Sequence, residues 1–167
     1  ASNVAIGKGA ISTSTAASRM VGIGQGAIGN ADTTAAAIGT VAVGMDSLLS
    51  LTSGAGNLAI GYQTLMEHTE GSRNIAIGHQ AMYNTWDGTA DDTRESSDNV
   101  AIGYQSMGGA WTDADADDTD MNTNNTAVGN YTMDGAMASA QQNTGVGYNS
   151  LGALISCNRN VAIGMNS

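Results

Sequence analysis

The chain has 167 residues, with no Phe, no Pro, two Trp and 23 Gly, which excludes a conventional aromatic core. No apolar run approaches the roughly 20 residues of a membrane span, so membrane insertion is not expected. The net charge is −10 and only Lys8, Arg19, Arg73, Arg94 and Arg159 are positive, which leaves no basic stripe to displace counterions from a nucleic acid. Ala1 is not followed by the basic segment and apolar run of a secretion signal, so such a signal is expected to be absent or already removed.

Nine short phrases follow one another, closed by Gly7, Gly24, Gly44, Gly61, Gly78, Gly103, Gly129, Gly147 and Gly164, at intervals of 17, 20, 17, 17, 25, 26, 18 and 17 residues. Four positions before the glycine stands Asn, except at Met20 and Thr40; one position before it stands only Ile or Val. Four positions after it come Ile11, Ile28, Leu48, Leu65, Met82, Met107, Met133 and Leu151. A unit of 17 residues, expanded in some copies, therefore repeats along the chain.

Within a phrase such as Val100-Ala101-Ile102 the period is two, which predicts a strand. The glycine permits a turn, and a second short extended stretch is expected to end in the Leu, Ile or Met. Stacked units of this kind predict an all-β fold, a parallel β-solenoid or β-roll of about nine coils, forming a rod about 40 Å long. Residues 1–167 form a single domain on this reading, with long inserted connectors at about 83–98 and 108–124. The asparagines fall in a column, where stacked amides can bond one another and the turn backbones.

Between the two branched residues stands a row of Ala and Gly that includes Ala59, Ala76, Ala101, Ala127 and Ala162. If the branched pair fills the coil, this row faces outward, and its smoothness predicts an oligomer interface around a common axis. The alternative is that Ala simply suits a narrow coil. A coil interior of two or three aliphatic side chains is also thin for a lone monomer, which favours association.

NVAIG at 3–7, 99–103 and 160–164, with the variants NLAIG, NIAIG and NTAVG, resembles the head repeats of trimeric autotransporter adhesins. The longer GYQTLM at 61–66 and GYQSM at 103–107 are similar to repeats of phage tail fibres and related virion proteins. The resemblance spans essentially the whole chain, and it implies a left-handed roll wound as a homotrimer. The 17-residue unit and the absence of a coiled-coil neck depart from the adhesin pattern and leave the fibre resemblance as the nearer one.

No catalytic set emerges, and the expectation is that the chain is not an enzyme and takes no cofactor. GQGAIG at 24–29 matches a dinucleotide fingerprint as a string, but it is a copy of the repeated phrase and no helix-forming stretch follows it. His68 and His79 have no triad or zinc partners, and His79 takes the slot held elsewhere by Tyr62, Tyr104 and Tyr148, as a member of a surface ladder. Cys157 is alone, which excludes an intrachain disulfide and reads as a small half-buried residue near a turn.

The long connectors hold both tryptophans and ten of the fifteen acidic residues. Trp86 and Trp111 lie eight residues after their glycines, so adjacent coils would bring them together. With Asp87 and Asp113 they suit a neutral sugar, the ring covering its apolar side and the polar groups taking its hydroxyls. The competing reading has the tryptophans pin the loops to the rod. Asp113, Asp115 and Asp117, with Asp118 and Asp120, crowd enough charge to attract a hard cation such as calcium, but they fit neither an EF-hand nor a calcium β-roll. A solvated acidic loop is the simpler reading.

The expected function is a structural module of a trimeric extracellular or virion fibre, a spacer with host-surface or glycan recognition by its Trp-bearing loops. The partners are then further copies of the chain and a host cell-surface glycan. Alternatives are a self-assembling extracellular filament subunit and a carbohydrate-binding module proper; an ice-binding solenoid would need a regular Thr ladder that is absent. The first phrase begins at Asn3 and the ninth closes near Ser167 without polar caps, so the end coils are expected to be covered by another chain or domain.

Overall fold

The computed structural model describes residues 2–12, 14, 16–29, 33–85, 96–111 and 122–167. Each phrase becomes one three-residue strand: β1 (Val4–Ile6), β2 (Val21–Ile23), β3 (Val41–Val43), β4 (Leu58–Ile60), β5 (Ile75–Ile77), β6 (Val100–Ile102), β7 (Thr126–Val128), β8 (Thr144–Val146) and β9 (Val161–Ile163). All nine lie side by side in sequence order in one parallel sheet. The pairing is in register throughout, so that Ala76 pairs with Ala101 and Ala101 with Ala127. This is a parallel β-solenoid. Among the described residues the only helical turn is a 3₁₀ turn at Ala35–Ala37.

The second extended stretch expected after each glycine does not form. The chain instead winds through a turn in which alternate residues are left-handed: φ is 48° at Gln105 and 52° at Met107, and Gln80 and Met82 repeat the pair at 55° and 50°. Such angles cost non-glycine residues about 1–2 kcal/mol each. The alternation aims successive amides in opposite directions along the rod. Gln105 N–H donates to His79 O of the coil before (3.0 Å), and Met107 N–H donates to Thr132 O of the coil after (2.9 Å). Hydrogen bonds between coils thus continue beyond the strands and offset the strain.

The closing glycine is required by two constraints at once. Gly103 has φ of 136°, which L side chains rarely adopt, and a Cβ there would run into the carbonyl oxygen of Gly129 in the next coil.

Opposite the sheet, the Leu, Ile or Met of each turn points into the coil: Leu48, Leu65, Met82, Met107 and Met133 are fully buried. Beside them runs the asparagine column, which forms as the sequence suggests. At each step from Asn57 to Asn160 one amide oxygen accepts from both the backbone and the side-chain amide of the next asparagine, as Asn99 Oδ1 does from Asn125 N (3.0 Å) and Nδ2 (3.2 Å). From Asn57 to Asn143 each Nδ2 also donates to a carbonyl across the coil, Asn99 to Asn122 O and Asn125 to Ala140 O. The buried amides are therefore satisfied, and the column fixes both the register and the distance between coils.

Candidate functional site

The two faces of the sheet are the reverse of the expected ones. Ala59, Ala76, Ala101 and Ala127 are fully buried and point into the coil, while the branched residues on either side of them point out. Ala162, in the last strand, is partly buried on the same inward side. The assignment of these alanines to an oligomer interface is therefore overturned. The physical reason lies in the turn that follows each strand. A Cβ added at Gly145, which shares the alanine slot, would stand 3.2 Å from Met133 Cε, and one at Gly22 would stand 2.7 Å from Ile11 Cγ1. The large side chain four positions after the glycine already fills the interior, so only Ala or Gly fits across from it.

The outward face consequently carries two parallel columns. One runs through Val21, Val41, Leu58, Ile75 and Val100, the other through Ile23, Val43, Ile60, Ile77 and Ile102. Thr126 and Thr144, paired in register, are the one polar interruption. In-register neighbours shield one another along each column, yet Ile60 and Ile102 are still 39% and 38% exposed, and Val161 and Ile163 in β9 are 72% and 73% exposed. No charged side chain stands in the strands of this face. At about 40 Å by two side-chain columns it covers roughly 500 Å², near the top of the range for the largest apolar patch on a monomer.

Along one edge of this face runs an aromatic column. Tyr62, His79 and Tyr104 stack at centroid separations of 5.0 and 5.2 Å, so His79 is the ladder member expected of it. In the next coil Asn130 takes the aromatic slot, and Tyr131, one position later, swings in to contact both Tyr104 and Tyr148 edge to face at 5.2 and 5.7 Å. The column remains continuous over five coils. Beside it an amide ladder links Gln105 to Gln80 and Gln80 to Gln63, each at 3.0 Å.

Of the sequence-predicted recognition residues, Trp111 alone lies among the described residues. Trp111 is only 3% exposed and belongs to the core cluster with Met107 and Met137, so it is not an exposed ring for a sugar. Its backbone N–H bonds Asn84 O of the preceding coil, which ties the start of the connector to the rod. Trp86, Asp87, Asp113, Asp115 and Asp117 lie outside the described residues. Among the described residues no group of three His, Cys, Asp or Glu side chains is placed to hold a metal ion. Cys157 is exposed rather than half-buried.

Sequence reasoning missed a buried histidine. His68 is enclosed in the coil, its Nδ1 2.9 Å from Thr85 Oγ1 and its Nε2 3.4 Å from Gly71 O. Donation from Nε2–H to the carbonyl and acceptance at Nδ1 from the hydroxyl satisfy the neutral ring. Burial pushes its pKa down to about 4 against a weaker opposing effect of the Gly71 carbonyl. Only the position of His68 seven residues after Gly61, where other coils have apolar or small residues, sets it apart in the sequence.

No protein-family model matches the chain, and neither a curated protein nor a solved structure is significantly similar to it.

Proposed function

We propose that the chain is a structural module of a fibre, a non-enzymatic spacer that associates with copies of itself, as a homotrimer, through the outward aliphatic columns of its sheet. The observation that carries this reading is the exposed, charge-free face running the length of a rod whose net charge is −10. A chain that leaves branched side chains in water over nine successive coils gains by bringing those columns together. Because the face is the same in every coil, another copy offers it a surface of matching pitch. The in-register coil-to-coil bonding supports a load-bearing or spacing role. The resemblance of its NVAIG and GYQSM phrases to adhesin heads and phage tail fibres favours a trimer on a virion or outside a cell.

Host-glycan recognition remains an additional role for the connectors, but Trp111 would not take part as an exposed ring, which leaves Trp86 with its neighbouring polar residues. Sedimentation tests the central reading. A trimer at micromolar concentration, lost in Ile77→Glu while circular dichroism still reports the fold, is the expected result; a wild-type monomer would overturn it.

A further inference from the structure

From the chemistry of the two flanks of the sheet we infer that neighbouring copies of the chain are clasped by arginine–tyrosine contacts, with Arg73 and Arg159 of one copy seated on Tyr104 and Tyr148 of the next. The inference rests on the self-association proposed above and names the residues that close its seams. In a trimer about an axis along the rods, the first outward column of one copy meets the second outward column of the next, coil level with coil. Whatever flanks the first column is therefore brought to whatever flanks the second.

Those flanks are chemically complementary. Two positions beyond the second column runs the aromatic column, in which Tyr62, Tyr104 and Tyr148 are 37%, 37% and 52% exposed. Two positions before the first column, five before the closing glycine, stand Arg19, Arg73 and Arg159, three of the five cationic residues of a chain with net charge −10. Hydrogen bonds lead two of these guanidinium groups to a neighbouring level. Arg73, which precedes β5, donates from Nε (2.6 Å) and Nη2 (2.7 Å) to the carboxylate of Asp98, which precedes β6. Arg159, which precedes β9, donates from Nε to Oε1 of Gln142 (3.0 Å), which precedes β8. The aromatic residues that follow β6 and β8 are Tyr104 and Tyr148. Within one copy a strand separates each arginine from those rings, so the pairs form only between copies. A planar, weakly hydrated guanidinium stacks on a ring and offers N–H groups to the phenol oxygen, and holding it in place beforehand lowers the entropy lost on contact. Arginine and tyrosine are also the residue types that anchor interfaces most often.

Cysteine trapping and substitution test this together. In a Cys157→Ser background, Asn124→Cys and Asn130→Cys place thiols at exposed positions on the two flanks of the β7 coil. The two variants, one carrying a mass tag, are mixed, allowed to exchange and oxidised. Heterotypic cross-links are expected, without homotypic ones. An intact oligomer with homotypic links, or with none, would overturn the seam while leaving self-association standing; a wild-type monomer in sedimentation would overturn both. The contacts themselves are read from the concentration at which half of the oligomer dissociates. Arg73→Gln and Tyr104→Leu should each raise it roughly tenfold, and the double variant no further than the stronger single one, with circular dichroism unchanged. Arg19→Gln, at a level that carries Gln25 in place of a ring, should leave it unchanged. Additive effects of Arg73→Gln and Tyr104→Leu, or an equal effect of Arg19→Gln, would show that the arginines do not act through the tyrosines.

Discussion

The side-chain oxygen of Asn74 accepts both the backbone N–H of Asn99 (3.1 Å) and its Nδ2 (3.2 Å), so one buried atom sets the position of the whole next coil. Asn99 passes the same pair of bonds on to Asn125. Asn99→Ala would leave the carbonyl of Asn122, the oxygen of Asn74 and both amides of Asn125 short of partners in a buried column. A loss of about 2–4 kcal/mol is expected in urea unfolding, well above the about 1 kcal/mol of a single average hydrogen bond.

Neighbouring residues of β6 should respond in opposite ways to the same change. Ala101→Glu forces a carboxylate into the space beside the turn side chains, where Ala101 is fully buried, and should destabilise the single chain by several kcal/mol or prevent folding. Ile102→Glu places the charge outside and should leave the circular dichroism spectrum and melting temperature of the isolated chain almost unchanged while weakening association. Sedimentation and thermal melts of the two variants side by side distinguish these outcomes. Equal destabilisation by both would contradict the observed facing of the strand.

The buried imidazole makes stability depend on pH. His68 has a folded pKa of about 4 against 6.5 for the free side chain, so the unfolded chain binds the extra proton first. Stability from this group is complete above about pH 6.5, falls as the pH drops toward 4, and levels off below that. The total is about 3 kcal/mol at 1.36 kcal/mol per pKa unit. Urea unfolding of wild type and His68→Gln at pH 7.5, 5.5 and 4.5 should give a difference in stability that shrinks with acidification. A pH-independent difference would show that His68 is hydrated and ordinary in titration.

Trp111→Ala should lower stability by about 3–5 kcal/mol, as expected for an aromatic removed from a core, and should slow no binding step of its own. Thermal unfolding is the measurement. A change of less than about 1 kcal/mol would mean that the ring is exposed in solution.

Most of the architecture was legible because a repeat reports itself many times. The glycine interval, the asparagine column and the period of two gave the strands, their parallel order and their register, and the slot of His79 gave its place among the tyrosines. What could not be read from periodicity was which side of the strand faced in. Alternation in Val100-Ala101-Ile102 says only that the two kinds of residue face opposite ways, and assigning the larger ones to the core ignored the competition for space with Met107 and its equivalents. The turn was misread for a related reason: a left-handed angle at a non-glycine residue such as Met107 leaves no mark in composition. The burial of Trp111 beside Met107 and Met137 lies outside the repeated phrase, where no neighbouring copy repeats the pattern. His68 was passed over because it occurs once.

The register of the sheet separates how much chain is used from how far the rod extends. The step from Gly61 to Gly78 takes 17 residues and the step from Gly78 to Gly103 takes 25, yet β5 follows β4 and β6 follows β5 as immediate neighbours. Reach is therefore counted in phrases, about 4.8 Å for each, and is indifferent to how many residues lie between them. Duplicating or deleting a unit would change the span in fixed increments, as on a ruler with one kind of mark. Inserting sequence in a connector would decorate the ruler's flank without moving either end.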